Sequence, residues 1–191
     1  MIDRALLGRL RIEPLDRAKH KAGRAAFSSG EPRVDNFLKT NAAGLQDLET
    51  TRCVLACFPP ENGEPAEIVG FYALNAHGID TCTLPEPLRK KVGRYDNVPA
   101  VYLSVVGVHQ AHQGKGIGSF LMASAFTRCA GIADQIGAAF IVLDALNEDA
   151  ARLYRRLGFA DLPGHEPRML IGMKVVRAAI ARTAPPAAQS A

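Results

Sequence analysis

The clearest chemical potential in this sequence lies in a glycine-rich segment, Gln113-Gly114-Lys115-Gly116-Ile117-Gly118. Alternating glycines let the main chain approach a ligand that side chains would block, and N–H groups that converge ahead of a helix bind anions. Residues 101–108 precede the segment and predict a buried strand, and apolar residues at near-helical spacing follow it. The order of strand, glycine turn and helix predicts a site for a phosphorylated cofactor.

The spacing of the glycines excludes two common nucleotide-binding motifs. The segment has neither the four residues that separate a P-loop glycine from Gly-Lys-Ser/Thr nor the Gly-x-Gly-x-x-Gly of dinucleotide sites. It resembles motif A of the GNAT acetyltransferases, Gln/Arg-x-x-Gly-x-Gly/Ala, with Gln113, Gly116 and Gly118 in the defining positions. That resemblance implies that residues 113–118 hold the pyrophosphate of acetyl-coenzyme A, with Lys115 adding positive charge. A solvated loop lysine is the alternative interpretation of Lys115.

A second stretch resembles motif B of the same family, in which an asparagine precedes a helix that reads Ala-x-x-x-Tyr-x-x-x-Gly-Phe. Here Asn147 is followed by Ala150, Tyr154 and the pair Gly158-Phe159. The resemblance implies that Tyr154 is the catalytic acid, because a well-positioned phenol with a pKa near ~10 can protonate a leaving thiolate. A core tyrosine is the alternative. Asn147 is expected near the amides of the cofactor, although a helix N-cap would also explain it.

Main-chain groups of the central strand complete the predicted cofactor site. We expect Val106 and Val108 to contact the oxyanion and the pantetheine arm through backbone atoms. Gly107 lies inside this strand, where glycine indicates either a bulge or close packing. A bulge would splay this strand from the next one, residues 138–143, and leave backbone groups that a pantetheine arm could pair with.

Several further segments resemble one branch of the family, the GNAT toxins of bacterial toxin–antitoxin pairs. They are Ser29-Gly30-Glu31-Pro32 with Asp35 and Phe37-Leu38, Val69-Gly70-Phe71-Tyr72-Ala73-Leu74, Gly93-Arg94-Tyr95 with Val98-Pro99, and Pro163-Gly164-His165. The resemblance runs from about Glu13 to Arg182 and implies acetylation of the α-amine of an aminoacyl-tRNA, which blocks translation. It also implies a ribbon-helix-helix antitoxin and is compatible with a homodimer. The toxins commonly have an arginine in Gly-Arg-Leu-Ala-Val, where this chain has Val105.

Two basic clusters are candidate contacts for tRNA phosphates. The denser cluster comprises Arg89, Lys90, Lys91 and Arg94, and the second comprises Lys19, His20, Lys21 and Arg24. Solvated surface is the ordinary interpretation of such clusters, whereas phosphate contacts would make binding fall steeply with salt.

A general base is missing from the central strand, whose polar side chains are Tyr102 and Ser104. This favours an α-amine acceptor, with a pKa near ~8, over a lysine, with a pKa of about 10.4, because the α-amine is more often already neutral. His77, His109 and His112 remain alternative proton carriers, with surface histidines the simpler interpretation of the last two.

Composition and length predict one domain over residues 1–182 and a disordered tail over residues 183–191. The chain has 191 residues, of which 48% are hydrophobic, enough for a sizeable core. No apolar run approaches a membrane span and no signal-peptide pattern is present, which predicts a cytoplasmic protein with no membrane partner. The four cysteines lack metal-site spacing and are expected to be reduced thiols, with no metal bound. A net charge of +4 permits a polyanionic partner.

The pattern of elements predicts an α/β (α+β) chain with the GNAT fold, a mixed sheet of six to seven strands with helices on both faces and a splayed central strand pair. Residues 17–24 are expected to form an exposed basic loop. Residues 75–99 are expected to form a long connection with a short helix around residues 86–92, and residues 169–176 a last strand.

Three functions remain open on the sequence alone. The first is a toxin that acetylates aminoacyl-tRNA with acetyl-coenzyme A. The second is an N-acetyltransferase for a small amine, antibiotic or peptide N-terminus without a toxin role. The third is a cofactor-binding or regulatory module with a vestigial site.

Overall fold

The computed structural model describes residues 4–60, 65–92 and 96–183. The helices are α1 (Arg4–Arg9), α2 (Lys21–Ala26), α3 (Pro32–Asn36), α4 (Ala42–Asp47), α5 (Glu86–Val92), α6 (Ile117–Ile136), α7 (Glu148–Arg156) and α8 (Met173–Thr183). The strands are β1 (Arg11–Pro14), β2 (Arg52–Phe58), β3 (Glu67–Asp80), β4 (Asn97–Val108), β5 (Phe140–Asp144), β6 (Ala160–Asp161) and β7 (Arg168–Gly172). A π-helical turn, Phe37–Asn41, joins α3 to α4. The predicted tail from residue 184 onward lies outside the described residues.

The strands form one mixed sheet in the order β1-β2-β3-β4-β5-β7-β6. Strands β4 and β5 run parallel, whereas the pairs β1–β2, β2–β3, β5–β7 and β6–β7 are antiparallel. The parallel pairing is short and ends at Tyr102 opposite Val142, although β4 continues to Val108. This confirms the predicted mixed sheet with a splayed central strand pair.

The chain divides into two compact units, which we call unit 1 (Met1–Ala76 and Leu103–Ser124) and unit 2 (His77–Tyr102 and Ala125–Ala191). Unit 1 has an apolar core that includes Phe27, Leu38, Leu55 and Phe71, all at most 1% exposed. Gly107 faces this core, because a Cβ atom there would lie 2.6 Å from Val34 Cγ1 and 2.7 Å from Phe71 Cε1. Of the two interpretations of Gly107, close packing is therefore the one that the structure supports.

Unit 2 has its own core on one face of its part of the sheet. Val98 and Ala100 of β4, Val142 of β5 and Leu170 of β7 pack there with Leu84. Helix α5 covers part of this cluster through its partly buried apolar side chains.

Three element predictions differ from the structure. Residues 75–80 continue β3 instead of opening a long loop, while the helix at residues 86–92 is confirmed. The predicted last strand ends at Gly172 and the chain then forms α8, because an apolar run fits either period until a glycine divides it. The predicted basic loop contains α2 and is partly buried, since His20 is 1% and Arg24 is 8% exposed.

Candidate functional site

The glycine segment presents a row of free backbone donors in unit 1. Gly114 and Gly116 adopt φ values of 74° and 89°, which glycine reaches without strain, and α6 begins at the next residue, Ile117. Within the described part of the chain, the backbone N–H groups of residues 114–119 make no hydrogen bond, whereas Phe120 N already donates to Gly116 O. Three of these donors lie in the loop and three in the first turn of the 20-residue helix α6, and together they form an anion cradle of the kind that suits a pyrophosphate.

Gln113 ties this loop to the chain ahead of α3. Its Nε2 donates to Ser29 O at 2.8 Å and to Val108 O at 3.1 Å. The neighbouring backbone N–H of Gln110 donates to Ser28 O at 2.8 Å. Gln113 therefore positions the cradle through its side chain, a role that the sequence motif alone did not reveal.

Asp35 holds in place the segment around Ser29 that accepts the hydrogen bond from Gln113. This carboxylate accepts from Ser29 N at 2.7 Å and from Ser29 Oγ at 2.6 Å. Burial opposes ionisation of Asp35, but the hydrogen bonds from Ser29 outweigh it and lower the pKa of the carboxyl. The Ser-Gly-Glu-Pro segment and the glycine loop, which are far apart in the sequence, thus form one hydrogen-bonded assembly.

Two other predicted residues of unit 1 have partners within the loop. The Lys115 ammonium donates to Ala111 O at 2.8 Å and is exposed enough to turn toward a bound anion. The Val108 carbonyl accepts from Gln113, while Val106 lies in the part of β4 beyond the parallel pairing. Contact of either valine with a cofactor stays a prediction.

Tyr154 and Asn147 belong to unit 2. Asn147 is the N-cap of α7, with its Oδ1 accepting from Ala150 N at 2.9 Å, which leaves its NH₂ group for other partners. Tyr154 packs its ring edge-on against Phe159, with centroids 5.7 Å apart. Its hydroxyl makes no hydrogen bond to the described residues, and burial raises the pKa of the phenol. A protonated phenol with a free hydroxyl is suited to donate a proton.

A polar cluster lies in unit 2 where the parallel pairing of β4 with β5 ends. Asp144 accepts from Arg168 at 2.8 Å and 3.0 Å and from the Tyr102 hydroxyl at 2.8 Å. The ring of His77 lies 5.4 Å from that of Tyr102. The sequence shows Tyr102 and His77 as separate polar residues and does not reveal the cluster, because Asp144 and Arg168 meet only through the β5–β7 register.

Helix α5 carries most of the first basic cluster. Arg89, Lys90 and Lys91 are all exposed, and Lys90 pairs with Glu86 at 2.7 Å. Arg89 and Lys91 form no ion pair within the described residues. Arg94 lies outside the described residues, so its place in the cluster stays a prediction.

The second basic cluster is not a continuous exposed surface, which corrects the sequence prediction. Arg24 is buried, and its guanidinium donates to Lys39 O at 3.2 Å, in the π-helical turn. His20 is buried against Glu13, with its Nε2 2.9 Å from Glu13 Oε1. These side chains are used inside the fold and are not available to phosphates.

Glu13, His20 and Cys57 are the described residues whose ligand atoms group within 4.8 Å of one another. His20 Nδ1 lies 2.9 Å from Asp16 N and 3.1 Å from Asp16 O, while its Nε2 lies 2.9 Å from Glu13 Oε1, so both ring nitrogens have partners. Burial raises the pKa of the Cys57 thiol to about 12. Hydrogen bonding accounts for this group, and we assign no metal to it.

Comparison with known proteins gives one consistent result. A family model described as an acetyltransferase (GNAT) domain matches residues 61–161. A probable toxin TacT of Sinorhizobium fredii (strain NBRC 101917 / NGR234) is 36% identical over 173 residues, which cover 87% of this chain and 92% of that protein. A tRNA-acetylating toxin of Mycobacterium tuberculosis (strain ATCC 25618 / H37Rv) is 33% identical over 155 residues, covering 81% and 89%.

Solved structures agree with these relatives. A tyrosine-to-phenylalanine mutant of KacT has a TM-score of 0.81 at 25% identity, covering 90% of this chain and 99% of that one. AtaT complexed with acetyl-methionyl-tRNAfMet has a TM-score of 0.79 at 25% identity, covering 89% and 98%. Among the described residues, no helix combines the length and apolarity that a membrane crossing requires.

Proposed function

Since this chain belongs to the GNAT acetyltransferases, we propose that it is a toxin that transfers an acetyl group from acetyl-coenzyme A to the α-amine of an aminoacyl-tRNA and so blocks translation. The observation that carries the proposal is the likeness to a tRNA-acetylating toxin at 33% identity over 89% of that toxin's length. The chemistry of the cradle supports it, because six free backbone donors suit a pyrophosphate.

Residues 113–118 would hold the acetyl donor. The backbone N–H groups of the loop would bind the pyrophosphate, Gln113 would fix the loop, and Lys115 would turn from Ala111 O to a phosphate. Val106 and Val108 would offer main-chain groups to the pantetheine amides, and the free NH₂ of Asn147 would face the same arm. The donor supplies an acetyl group already activated as a thioester, so the protein needs to position the amine and move protons.

Tyr154 would supply the proton that the leaving sulfur needs. Its raised pKa keeps the phenol protonated throughout the physiological range, since a group is protonated below its pKa. Its hydroxyl has no competing partner among the described residues. General acid catalysis of this kind contributes roughly 10²- to 10⁴-fold.

The tRNA would be held largely through its phosphates. Arg89 and Lys91 present unpaired charge on α5, and the net charge of +4 favours a polyanion. The branch of the family further suggests a ribbon-helix-helix antitoxin as partner. Both partners would be met in the cytoplasm.

Incubation of the purified protein with labelled acetyl-coenzyme A tests the proposal directly. Total aminoacylated tRNA, deacylated tRNA and a panel of free amines serve as parallel acceptors. Label on aminoacylated tRNA alone, lost after mild alkaline deacylation, is the expected result. Label on small amines alone would overturn the toxin assignment and favour a general N-acetyltransferase.

Salt dependence provides a second measurement. Acetylation of tRNA should fall steeply between low and moderate salt, because each neutralised phosphate releases a counterion. Acetylation of a small amine should change little over the same range. A flat salt dependence with tRNA would mean that the basic residues of α5 do not contact it.

A further inference from the structure

A cavity of about 220 Å³ opens in unit 2 beside the polar cluster. Ile79, Val142, Leu162 and Leu170 give it an apolar floor, and His77, Asp80, Thr83, His165 and Arg168 are the polar side chains that line it. It is smaller than the pockets that take drug-sized ligands, so it suits a group the size of one amino acid. The parallel pairing of β4 with β5 ends beside it, at Tyr102 and Val142, where unpaired backbone could take the amides of a pantetheine arm.

The carboxylate of the cluster is a weak base. The hydrogen bonds from Arg168 are the largest influence on Asp144 and, with that from Tyr102, they lower the pKa of the carboxyl although burial opposes this. The three donors also occupy three of its roughly four acceptor positions. Tyr102 is committed as a donor to Asp144, and burial together with that bond raises the pKa of its phenol.

The imidazole of His77, unlike its neighbours Asp144 and Tyr102, has no hydrogen-bond partner among the described residues. It is half-buried, and its ring lies 5.4 Å from the Tyr102 ring at the edge of the cavity. Burial is the main cause, and the Arg168 charge a further one, of a lowered pKa for this imidazole, with Asp144 opposing. The ring is therefore neutral at physiological pH and keeps a lone pair that can accept a proton.

We propose that this cavity receives the amino-acid end of the acceptor and that His77 accepts the proton that the α-amine loses as it becomes an amide. The inference rests on the proposed function. In the step, the amine nitrogen forms a bond to the acetyl carbon while the carbon–sulfur bond breaks. The proton leaves nitrogen for His77, the sulfur takes a proton from Tyr154, and solvent then resets both side chains.

The pairing of this base with this acceptor is chemically reasonable. An α-amine with a pKa of about 8 can pass its proton to an imidazole far more easily than a lysine with a pKa of about 10.4. Brønsted behaviour favours a base whose pKa lies near the operating pH, which an imidazole meets and Asp144 does not.

The pH profile of kcat/KM tests the role of His77. Wild-type enzyme should show a slope approaching 2 at acid pH, because both the amine and His77 must be unprotonated, and His77→Gln should show a slope of 1. His165 also lines the cavity, and its contribution to the profile is measured separately with His165→Gln. The carboxyl, phenol and guanidinium groups around His77 have pKa values that are shifted away from this window. Asp144 and Asp80 have lowered pKa values, and those of Tyr102 and Arg168 are raised.

His165→Gln is the matched control, because His165 lines the same cavity. At neutral pH we expect kcat/KM to fall roughly 100-fold in His77→Gln, the low end of the range for general bases, and by a smaller factor in His165→Gln, which should keep the acid slope of the wild-type enzyme. Equal effects of the two substitutions, or an acid slope of 2 that survives in His77→Gln, would overturn the proposal.

Two further readouts separate a proton carrier from a structural residue. Added imidazole should restore activity to His77→Ala, since the cavity can admit it, and should not restore Tyr154→Phe. In NMR titrations, the His77 ring resonances should move when puromycin, an aminoacyl-nucleoside with a free α-amine, is added to the wild-type protein. Absence of both rescue and shift contradicts the proposal.

Failure of this inference is distinguishable from failure of the proposed function. If wild-type enzyme acetylates aminoacyl-tRNA and His77→Gln does so equally well at every pH, the function stands and the role of His77 is wrong. If wild-type enzyme acetylates small amines alone, the toxin assignment is wrong, and the slope and rescue measurements with those amines still decide the role of His77.

Discussion

Replacement of Gln113 by glutamate tests whether the side chain of the motif positions the anion cradle. Gln113→Glu keeps the shape but removes the NH₂ group that donates to Ser29 O and Val108 O. A carboxylate cannot donate, and it places negative oxygens beside two carbonyl oxygens. The loop should then lose its tie to the chain ahead of α3, and with it the fixed direction of the backbone donors.

The magnitude follows from the two hydrogen bonds. Each neutral bond contributes about 0.5–1.5 kcal/mol net, and the exposed site lets the new carboxylate turn partly to water. A loss of about 1–2 kcal/mol of binding free energy corresponds to a dissociation constant for coenzyme A that is roughly 5- to 30-fold larger. Isothermal titration calorimetry measures this constant without reference to any acceptor.

The control must carry the same charge change in the same loop. Gln110→Glu does so, because the Gln110 side chain makes no hydrogen bond to a described residue, while its backbone N–H donates to Ser28 O. The added negative charge should weaken coenzyme A binding in both variants. The additional loss of affinity in Gln113→Glu therefore measures the contribution of the Gln113 hydrogen bonds. If the two variants bind coenzyme A equally, Gln113 does not position the cradle.

Three other predictions address the acid, the fold and the nucleic acid. Tyr154→Phe should lower kcat roughly 100-fold or more with little change in the affinity for acetyl-coenzyme A. The control Tyr72→Phe, which loses a hydroxyl that is hydrogen-bonded to Ser124, should keep the wild-type kcat. Equal rates of the two variants in stopped-flow assays would refute the role of Tyr154 as the acid. Arg24→Met should lower the free energy of unfolding in urea by about 2 kcal/mol, because the carbonyls of the π-helical turn lose a charged donor, and an unchanged midpoint would contradict this. The double variant Arg89→Gln/Lys91→Gln should reduce the slope of log K against log salt for tRNA by about 1.5, with an unchanged slope counting against contact by α5.

The part of the fold that sequence predicted best is the part whose pattern is local. The glycine loop, the helix at residues 86–92 and the N-cap at Asn147 each depend on neighbouring residues, and each was found where predicted. Residues 75–80 read Asn-Ala-His-Gly-Ile-Asp, with a single β-branched residue, so their sequence carries no strand signal although their burial alternates in the structure. They extend β3 because pairing within the sheet overrides local preference, a tertiary effect that a single sequence does not display.

The candidate site was predictable to the same extent and for the same reason. The residues of motif A lie in one continuous segment of the chain, as do those of motif B, so their types and spacing are visible in the sequence. The bond from Gln113 to Ser29 and the bonds of Asp144 to Arg168 and Tyr102 join distant segments. Likewise, nothing in the run of residues 19–24 reveals that His20 and Arg24 point into the protein, since their partners lie elsewhere in the chain.

Packing explains the valine at position 105, and this explanation bears on how the chain would hold tRNA. Its side chain is partly buried against the apolar core of unit 1, which includes Phe71. An arginine there would have to extend its apolar stem across that core to bring the guanidinium to water, whereas valine fills the place with no charge to solvate. Position 105 is therefore used for packing in this chain, and the proposed contact with tRNA phosphates would depend on other surface residues. Arg89 and Lys91 are the candidates that we propose, because both are exposed and neither pairs with a carboxylate among the described residues, whereas Lys90 forms an ion pair with Glu86.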